Sequence, residues 1–240
     1  MIFDMGTDKN NFEYVQTEIL ENLKDAKNYN RALIQLALAA HVLTPETKIL
    51  DFGAGLGTFA EMFRDKGLTV DCFEIDEKES AILEEKGFRV YRDFDSIETD
   101  TYDFIYSYNV LEHIEDDISA LRNLRRILKP EGTLFIFVPA FQSLYSNMDK
   151  AVGHHRRYHK KDLTDVIAEA GLSVEKMRYF DTIGFLASYV FKLLGSQHED
   201  ITRGKIIFFD RYAFPFNKIA DPFFSRQFGK NAYAVCRKKT

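Results

Sequence analysis

The sequence is poor in cysteine, since its 240 residues include only two, Cys72 and Cys236. Both lie inside apolar stretches typical of buried strands, and neither belongs to a spacing pattern that metal or redox sites use. Two isolated thiols argue against a disulfide-stapled secreted domain and against a zinc module. They predict buried, reduced cysteines and a cytoplasmic protein.

Long hydrophobic runs are also missing. No stretch of about 18 or more apolar residues occurs, as a membrane-spanning helix would require. The first residues, MIFDMGTDKNNFEY, lack the basic segment followed by an apolar one that marks a signal peptide. The sequence therefore predicts no transmembrane segment and no signal peptide, while peripheral contact with a membrane remains open.

Positive charge is in deficit. The chain has 32 lysines and arginines against 37 acidic residues, which gives a net charge of −5 at pH 7. This balance argues against a nucleic-acid partner held by a broad basic face. A hydrophobic content of 45% and a charged content of 29% are typical of an ordinary globular domain.

From residue 48 onward, short apolar strands alternate with helical patterns, most of which end at a glycine. The predicted strands cover residues 48–52, 69–75, 88–91, 102–108, 133–138 and 172–179. The predicted helices cover residues 58–66, 77–86, 116–128 and 160–170, and two earlier ones, at 10–27 and 31–41, are separated by residues 28–30. This alternation predicts an α/β fold with a mostly parallel, doubly wound, Rossmann-like sheet and N-terminal helices.

The alternation fails after residue 182. Residues 183–229 contain apolar helical stretches and many aromatics, as in FFDRYAFPF and DPFFSRQF, and NAYAVCR at 231–237 then predicts one last strand. The segment before that strand is therefore predicted to be a helical insertion. It could extend the core, cap a functional site, join two copies in a homodimer or lie on a membrane surface.

Three glycines in five positions follow the first predicted strand, in ILDFGAGLGTF at residues 49–59. Gly53, Gly55 and Gly57 let backbone amides approach a ligand without a Cβ in the way. In a doubly wound sheet, the carboxyl end of the first strand faces the ligand crevice. A strand before the loop and a helix after it favour a binding loop over a simple turn.

An acidic residue at the end of the second predicted strand, Glu74, can accept hydrogen bonds from both hydroxyls of a ribose. The glycine spacing is G-x-G-x-G, whereas dinucleotide-binding loops have G-x-G-x-x-G. Asp51 precedes the glycines, and an acid there suits a ligand with a cationic end, such as an amino-acid ammonium, better than a diphosphate. The pattern therefore favours an amino-acid nucleoside.

At this point the sequence resembles the class I S-adenosylmethionine-dependent methyltransferases. Five motifs carry the resemblance in the family's order and spacing, over about residues 28–180: ILDFGAGLGTF, CFEID, RDFDSI, YDFIYSYNVLEHIED and LRRILKPEGTLFIFVPA. The resemblance implies a seven-stranded sheet with the last strand reversed. It also implies S-adenosyl-L-methionine as the cofactor and S-adenosyl-L-homocysteine as the product.

The resemblance implies a set of cofactor-binding residues. Those that would lie beside the methionine part are Asp51, Gly53, Ala54, Gly55, Gly57 and Asn109, the last one also beside the transferred methyl group. Glu74 would bind the ribose with Ile75 next to it, and Asp93 would accept from the adenine amino group beside the Phe94 backbone. Tyr29, expected at a turn before the second helix, would close over the cofactor carboxylate.

The chain is therefore predicted to be one methyltransferase domain. A helical cap is expected over residues 1–45, a cofactor-binding core over 46–180, a helical and aromatic insertion over 181–230 and the last strand over 231–238. The predicted reaction is methyl transfer to oxygen or nitrogen of a small-molecule or a lipid- or glycan-linked acceptor. The alternatives are an NAD(P)-dependent oxidoreductase, which the glycine spacing disfavours, and a non-catalytic cofactor-binding subunit.

His113 is the first candidate for a general base, because histidine titrates near neutral pH and follows the fourth predicted strand. A histidine packed under the sheet edge is the alternative. The loop GHHRRYHKK at residues 153–161 adds His154 and His155, which could assist His113. In the same loop, Arg156, Arg157 and Tyr158 are candidates for binding an anionic acceptor, unless the run is merely a solvated face.

This loop also resembles a subgroup of bacterial methyltransferases with a GHHRRY segment, which are often associated with glycan or lipid-linked substrates. Some O-methyltransferases of quinone and small-RNA pathways hold a divalent cation with E-x-x-E-H. Here the motif is N-x-x-E-H, with Asn109, Glu112 and His113, and the loss of one carboxylate weakens such a site. We therefore predict no metal.

Overall fold

The computed structural model describes residues 24–193 and 202–238. Its strands are β1 (Ile49–Phe52), β2 (Val70–Phe73), β3 (Arg89–Tyr91), β4 (Tyr102–Tyr108), β5 (Leu128–Pro139), β6 (Leu172–Phe180) and β7 (Asn231–Lys238). They form one seven-stranded sheet in the order β3-β2-β1-β4-β5-β7-β6. β1 to β5 pair in parallel, and β7 runs antiparallel to both β5 and β6. The predicted Rossmann-like α/β fold is confirmed.

Helices cover both faces of this sheet. They are α1 (Lys27–Leu38), α2 (Thr58–Arg64), α3 (Glu77–Glu85), α4 (Asp117–Ile127), α5 (Asn147–Ala151), α6 (Lys160–Glu169), α7 (Thr182–Leu193), α8 (Arg203–Phe208) and α9 (Asn217–Phe224). Within the described ranges, none of these helices has both the length and the apolar character needed to cross a bilayer.

β5 shows how the sequence places the core on two sides. Leu134 and Ile136 pack with residues of α4 and α6, whereas Phe135 and Phe137 pack with residues of α1, α2 and α3. Alternate residues of a strand point to opposite faces, so a strand covered on both sides must be apolar at every position. This explains the unbroken apolar run that ends β5.

The strand order reverses between β1 and β4, which pair with each other in the middle of the sheet. In a doubly wound sheet, a crevice opens at this point outside the carboxyl ends of the strands. Asp51, Glu74 and Asn109 lie at or just after the carboxyl ends of β1, β2 and β4. The topology therefore brings three predicted site residues to one edge.

The predicted break at residues 28–30 is wrong, because α1 begins at Lys27 and continues through them. The first turn of a helix has free N–H groups that a nearby side chain usually caps. Here the caps come from far along the chain, as Asp210 accepts from the N–H groups of Asn28 and Tyr29 at 3.0 and 2.8 Å. Most of the predicted first helix, 10–27, lies outside the described residues.

The start of the fifth strand was predicted too late. β5 begins at Leu128, directly after α4, because Leu128 already pairs with Tyr102 of β4. Pro130 and Gly132 therefore lie within the irregular start of the strand and not beyond the end of the helix. The segment between β6 and β7 is helical where it is described, and residues 194–201 within it lie outside the described residues.

Candidate functional site

The glycine loop joins β1 to α2 in a tight turn. Gly53 has φ 75° and Gly57 has φ 79°, in the left-handed region that side chains disfavour. A Cβ added to Gly53 would lie 2.4 Å from Cγ2 of Val110, which follows β4. Glycine is thus required at position 53 both by its backbone angle and by the closeness of Val110.

Asp51, at the carboxyl half of β1, is buried with only 2% of its surface exposed. Its Oδ2 atom has no hydrogen-bond partner among the described residues. Burial raises the pKa of this carboxyl to about 8, and the negative charge of Glu74 adds to the rise. A cationic group bound here would favour the ionised form and satisfy the free oxygen.

Glu74 is also buried and joins the glycine loop to α3. Its Oε2 accepts from the Gly55 N–H at 2.8 Å, and its Oε1 accepts from the Asp76 N–H at 3.0 Å. Asp76 in turn caps the first turn of α3 by accepting from the N–H groups of Lys78 and Glu79. Each carboxylate oxygen has further lone-pair capacity, so Glu74 is held in place and can still accept from hydroxyl groups.

Ile75, Asp93 and Phe94 lie beyond the ends of β2 and β3, which are neighbours in the sheet. The Ile75 side chain is 68% exposed, and Asp93 is exposed and accepts from the Ser96 N–H at 2.8 Å. The Phe94 ring stacks on Phe73 with centroids 4.5 Å apart. The structure thus places these predicted cofactor residues beside Glu74 on the same edge.

Three residues with side chains have positive φ just after strand ends. They are Asn109 (54°) after β4, Phe141 (63°) after β5 and Asp181 (64°) after β6. Asparagine tolerates this region, but a bulky residue such as phenylalanine is held there only by its surroundings. The Asn109 N–H donates to the Phe137 carbonyl at 2.8 Å, which fixes the end of β4 against β5.

Tyr29 lies inside α1 and not at a turn, so its predicted position is wrong. Its hydroxyl accepts from Asn231 Nδ2 at 3.0 Å, and its ring packs edge-on against Phe214 and Phe180. The side chain therefore connects α1 to the insertion and to the start of β7.

The loop of residues 153–161, here called the histidine loop, is fastened onto the segment after β4. The His155 N–H donates to the Glu112 carbonyl at 2.8 Å. The Tyr158 hydroxyl lies 3.2 Å from the Leu111 carbonyl. These contacts join two stretches of chain that are far apart in sequence, since 47 positions separate Leu111 from Tyr158. The predicted catalytic histidines are thereby brought to one place.

Glu112, His113 and His154 form a compact cluster. Each offers one nitrogen or oxygen atom that could bind a metal ion, and these three atoms lie within 4.8 Å of one another. His154 Nε2 is 3.9 Å from Glu112 Oε1, and the rings of His113 and His154 are 4.6 Å apart. Glu112 is completely buried, and neither of its side-chain oxygens finds a hydrogen-bond donor within the described chain. The segment after β4 and the histidine loop therefore build one polar site together.

Burial shifts the titration of two members of this cluster in opposite directions. It raises the pKa of Glu112 to about 8. Burial, helped by the nearby charges of His154 and His155, lowers the pKa of His113 to about 4. Near neutral pH, Glu112 is thus mainly a neutral acid and His113 a neutral, weakly basic imidazole.

Asp149 orients His154. Its Oδ1 lies 2.7 Å from His154 Nδ1 and also accepts from Arg157 Nε at 2.8 Å. Burial opposes the ionisation of Asp149, but the bonds from His154 and Arg157 prevail and hold its pKa well below its usual value. An ionised carboxylate can only accept, so His154 Nδ1 must carry the proton and Nε2 is left free to accept one.

The other loop residues divide between structure and surface. Arg156 donates to Asp117 Oδ2 at 2.9 Å, and the Tyr158 hydroxyl donates to the same oxygen at 2.7 Å. Tyr158 is only 2% exposed, so its side chain supports the loop from beneath. His155 is exposed, and the structure holds it through its backbone.

Asp149 and Asp117 were missed by the sequence analysis, and they position the loop. The sequence carried one usable signal: Ser146 and Asp149 have the S-x-x-D spacing of a capping box, and the structure shows that box at the start of α5. Nothing in the sequence pairs Asp117 with Arg156 and Tyr158, since 41 positions separate Asp117 from Tyr158.

A family model described as a methyltransferase domain matches residues 12–177. The ubiquinone biosynthesis O-methyltransferase of Xanthomonas campestris pv. campestris is 26% identical over 109 residues, which cover 41% of this chain and 46% of that protein. Its counterpart in Actinobacillus pleuropneumoniae is 30% identical over 102 residues, covering 37% and 44%. The match thus spans about half the length of these curated relatives.

Solved structures show the same fold over most of the chain. A possible histamine N-methyltransferase of Thermotoga maritima has a TM-score of 0.63 at 18% identity and covers 96% of this chain and 99% of that one. The Haemonchus contortus phosphoethanolamine N-methyltransferase 2 in complex with S-adenosyl-L-methionine has a TM-score of 0.60 at 14% identity, covering 89% and 53%. At these identities the likeness establishes the fold.

Proposed function

The chain belongs to this family of methyltransferase domains and has the class I fold, and on that basis we propose that it uses S-adenosyl-L-methionine to methylate an acceptor. The proposed acceptor atom is oxygen or nitrogen of a small molecule or of a lipid- or glycan-linked group. The names of the similar proteins support both atoms, since they include O-methyltransferases and an N-methyltransferase.

The observation that carries the proposal is the pairing of Asp51 with the glycine loop. A buried carboxyl with an unpaired oxygen offers a site for the cofactor's ammonium group. Glu74, clamped beside the same loop, offers acceptor oxygens to the ribose hydroxyls. A dinucleotide presents a diphosphate at this position and would leave the oxygen of Asp51 unsatisfied.

We propose His154 as the general base, positioned by Asp149, with His113 beside it. His154 Nε2 takes the proton of the acceptor's hydroxyl or amine as that atom attacks the methyl carbon. The carbon–sulfur bond breaks, and S-adenosyl-L-homocysteine leaves as a neutral thioether. The imidazolium that forms lies 2.7 Å from the ionised carboxylate of Asp149, which favours its positive charge.

Arg156 is the proposed contact for an anionic group of the acceptor. Its side chain keeps 32% of its surface exposed, whereas that of Arg157 keeps 11% and Tyr158 is buried. Arg157 is engaged with the buried carboxylate of Asp149. Arg156 is therefore the predicted substrate-binding residue with the most surface left for a ligand.

Calorimetric titration with S-adenosyl-L-homocysteine tests the cofactor. We expect micromolar binding, no binding of NAD, and a release of nearly one proton per site at pH 7. The proton follows from Asp51, whose pKa of about 8 keeps it mainly protonated in the free protein. A bound ammonium lowers that pKa by favouring the charged form, so the carboxyl ionises. Titrations in phosphate and in Tris buffer measure the proton.

Asp51→Asn is the matched control for this experiment. It keeps the size of the side chain but has no proton to release, so its binding enthalpy should be the same in both buffers. Binding of NAD alone would overturn the proposal in favour of an oxidoreductase. Binding of S-adenosyl-L-homocysteine with equal enthalpies for the unmodified protein in both buffers would refute the role given to Asp51.

A divalent cation is a second candidate at the histidine cluster. The specific observation is that Glu112, His113 and His154 place three potential metal ligands within 4.8 Å of one another. His154 comes from the histidine loop, so it adds a ligand that the N-x-x-E-H motif does not contain. One carboxylate and two imidazoles suit Zn²⁺ or Mn²⁺. Asp149 binds Nδ1 of His154, the ring nitrogen that does not face Glu112. Metal-binding histidines commonly have such a carboxylate partner on their second nitrogen.

Metal titration distinguishes the two candidates. After dialysis against EDTA, the base proposal expects no stoichiometric binding of Zn²⁺ or Mn²⁺ and no loss of methyl transfer. The cation candidate expects one site per chain, lost in Glu112→Gln, and activity that returns only when metal is restored. Lys66→Glu changes an exposed lysine outside the histidine cluster, so it is a control for nonspecific metal adsorption.

A further inference from the structure

Exposed apolar side chains are concentrated in one part of the described chain. Apart from Val42 and Ile75, every large hydrophobic side chain exposed among the described residues lies between positions 186 and 224. We call the α7–α9 region, residues 182–193 and 202–228, the apolar segment. Its most exposed large side chains are Leu193 on α7, Phe208 on α8, Phe216 just before α9, and Ile219 and Phe223 on α9.

The helices of the apolar segment differ from ordinary surface helices in which side chains they bury. A surface helix buries its apolar side and exposes its polar side. Here α7 buries only Thr182 and Gly184, α9 buries only Asn217, and α8 buries no residue. Many of their aromatic and aliphatic side chains are exposed, and an exposed cluster of this extent indicates a partner.

Polar bonds anchor the inner side of the segment. Asn217 Nδ2 donates to the buried Asp181 at 2.6 Å, and its Oδ1 accepts from the Ile183 N–H at 2.9 Å. Asp210 is buried and accepts from the start of α1. These hydrogen bonds fix the orientation of the segment on the protein. Its apolar side chains are therefore exposed in a defined arrangement.

The charges on this segment have one sign where they are exposed. Within its described residues, both acids are used internally: Asp210 caps α1, and Asp221 accepts from the N–H groups of Asp181 and Thr182. The exposed charged residues are all basic: Lys192, Arg203, Lys205, Arg211, Lys218 and Arg226. Of these, Arg203 forms an ion pair with Asp25, so the excess of positive charge comes from the others. This stands out in a chain with a net charge of −5.

We propose that the apolar segment docks this protein onto an anionic lipid surface. Outward aromatic and aliphatic side chains among lysines and arginines are the combination that lets a helix lie in a membrane interface. Basic residues gain from anionic headgroups in addition to the burial of apolar surface. A second copy is the poorer partner, because a two-fold interface would set the same basic face against itself.

The apolar segment also contacts the histidine loop and the chain just before it. The Phe185 ring of α7 packs 5.0 Å from Phe141, whose ring packs 4.9 Å from His159. Lys192 of α7 donates to the Ser143 carbonyl, and Lys160 of the loop donates to the Arg226 carbonyl. The docking segment thus contacts the same stretch of chain that carries His154. Docking itself does not depend on the proposed methyl transfer.

Vesicle flotation of the full chain tests the proposal. Vesicles of phosphatidylcholine mixed with phosphatidylglycerol should carry the protein upward, vesicles of phosphatidylcholine alone should carry much less, and added salt should weaken the binding. The triple variant Phe216→Ser, Ile219→Ser, Phe223→Ser should lose at least about tenfold in partitioning, because three apolar side chains no longer insert. All three positions are exposed, so the melting temperature should not fall.

Charge reversal gives an independent second test. Lys218→Glu should weaken binding to the mixed vesicles, whereas Lys66→Glu, an exposed lysine outside the segment, should not, and neither should Val42→Ser. Equal losses in Lys218→Glu and Lys66→Glu, or no flotation by the unmodified protein, would overturn the proposal. So would a concentration-dependent dimer that the triple variant abolishes in the absence of vesicle binding.

Discussion

Replacing His154 by alanine should lower kcat for methyl transfer by about 10²- to 10⁴-fold, the range typical of a lost general base. The reason is geometric, since His154 Nε2 is the nitrogen that Asp149 leaves free to accept a proton. Affinity for S-adenosyl-L-homocysteine should change less than about twofold, because the residue lies outside the proposed cofactor contacts. Turnover is measured with an acceptor found by screening the unmodified protein for S-adenosyl-L-homocysteine formation.

His155→Ala is the matched control. It removes the neighbouring histidine of the same loop, but that residue is exposed and is held to Glu112 through its backbone N–H, which alanine retains. We expect nearly unchanged kcat in this variant. If both substitutions slow the reaction equally, the loop as a whole and not His154 is responsible. If neither does, the base proposal is wrong.

Gly53→Ala should cost both stability and cofactor binding. The added Cβ would lie 2.4 Å from Cγ2 of Val110, and the alanine would have to adopt a φ of 75°. The strained angle costs about 1–2 kcal/mol and the overpacking about 1–3 kcal/mol of unfolding free energy. Because the loop must shift to relieve the contact, affinity for S-adenosyl-L-homocysteine should fall at least about tenfold. Denaturant unfolding and calorimetry measure the two effects.

Gly67→Ala separates the two costs. Gly67 has φ 79°, close to that of Gly53, but a Cβ there meets no atom within 4 Å. It should therefore show only the backbone part of the destabilisation and bind the cofactor normally. The double variant Gly53→Ala, Val110→Ala should recover part of the stability lost by the first change. A double variant as unstable as Gly53→Ala would contradict the steric explanation.

The placement of the proposed cofactor-binding residues at one edge could be predicted, because the information for it is local. The glycine loop, Asp51 and Glu74 each follow directly from a strand end, and parallel strands bring those ends to one edge. Sequence spacing is then enough to assemble them. The reversal of β7 was implied by the family resemblance and not by the pattern itself, and the strand order was not predicted.

The arrangement of the proposed catalytic residues could not be predicted in the same way, because the bonds that hold it join distant segments. The run of basic residues in the histidine loop resembles a solvated face, yet Asp117 and Asp149 take up its two arginines. The cluster of Glu112 with His154 exists only because the loop folds back onto the end of β4. Likewise, Asp210 extends α1 through residues that look like a break.

The apolar segment shows a different failure of pattern reading. Hydrophobic periodicity assigns apolar side chains to the interior, but α7 to α9 leave many of theirs exposed. A sequence pattern records which side of a helix is apolar, but it does not record whether protein or another phase covers that side.

The position of β7 bears on how the protein is made. β7 lies between β5 and β6, but it follows β5 by about 90 residues, which a ribosome adds in roughly 5–20 s. During that interval, the nascent chain has an apolar strand whose edge is unpaired, and such edges are prone to pair with other chains. Soluble yield should therefore depend on how quickly translation reaches residues 231–238, more than on the stability of the finished fold.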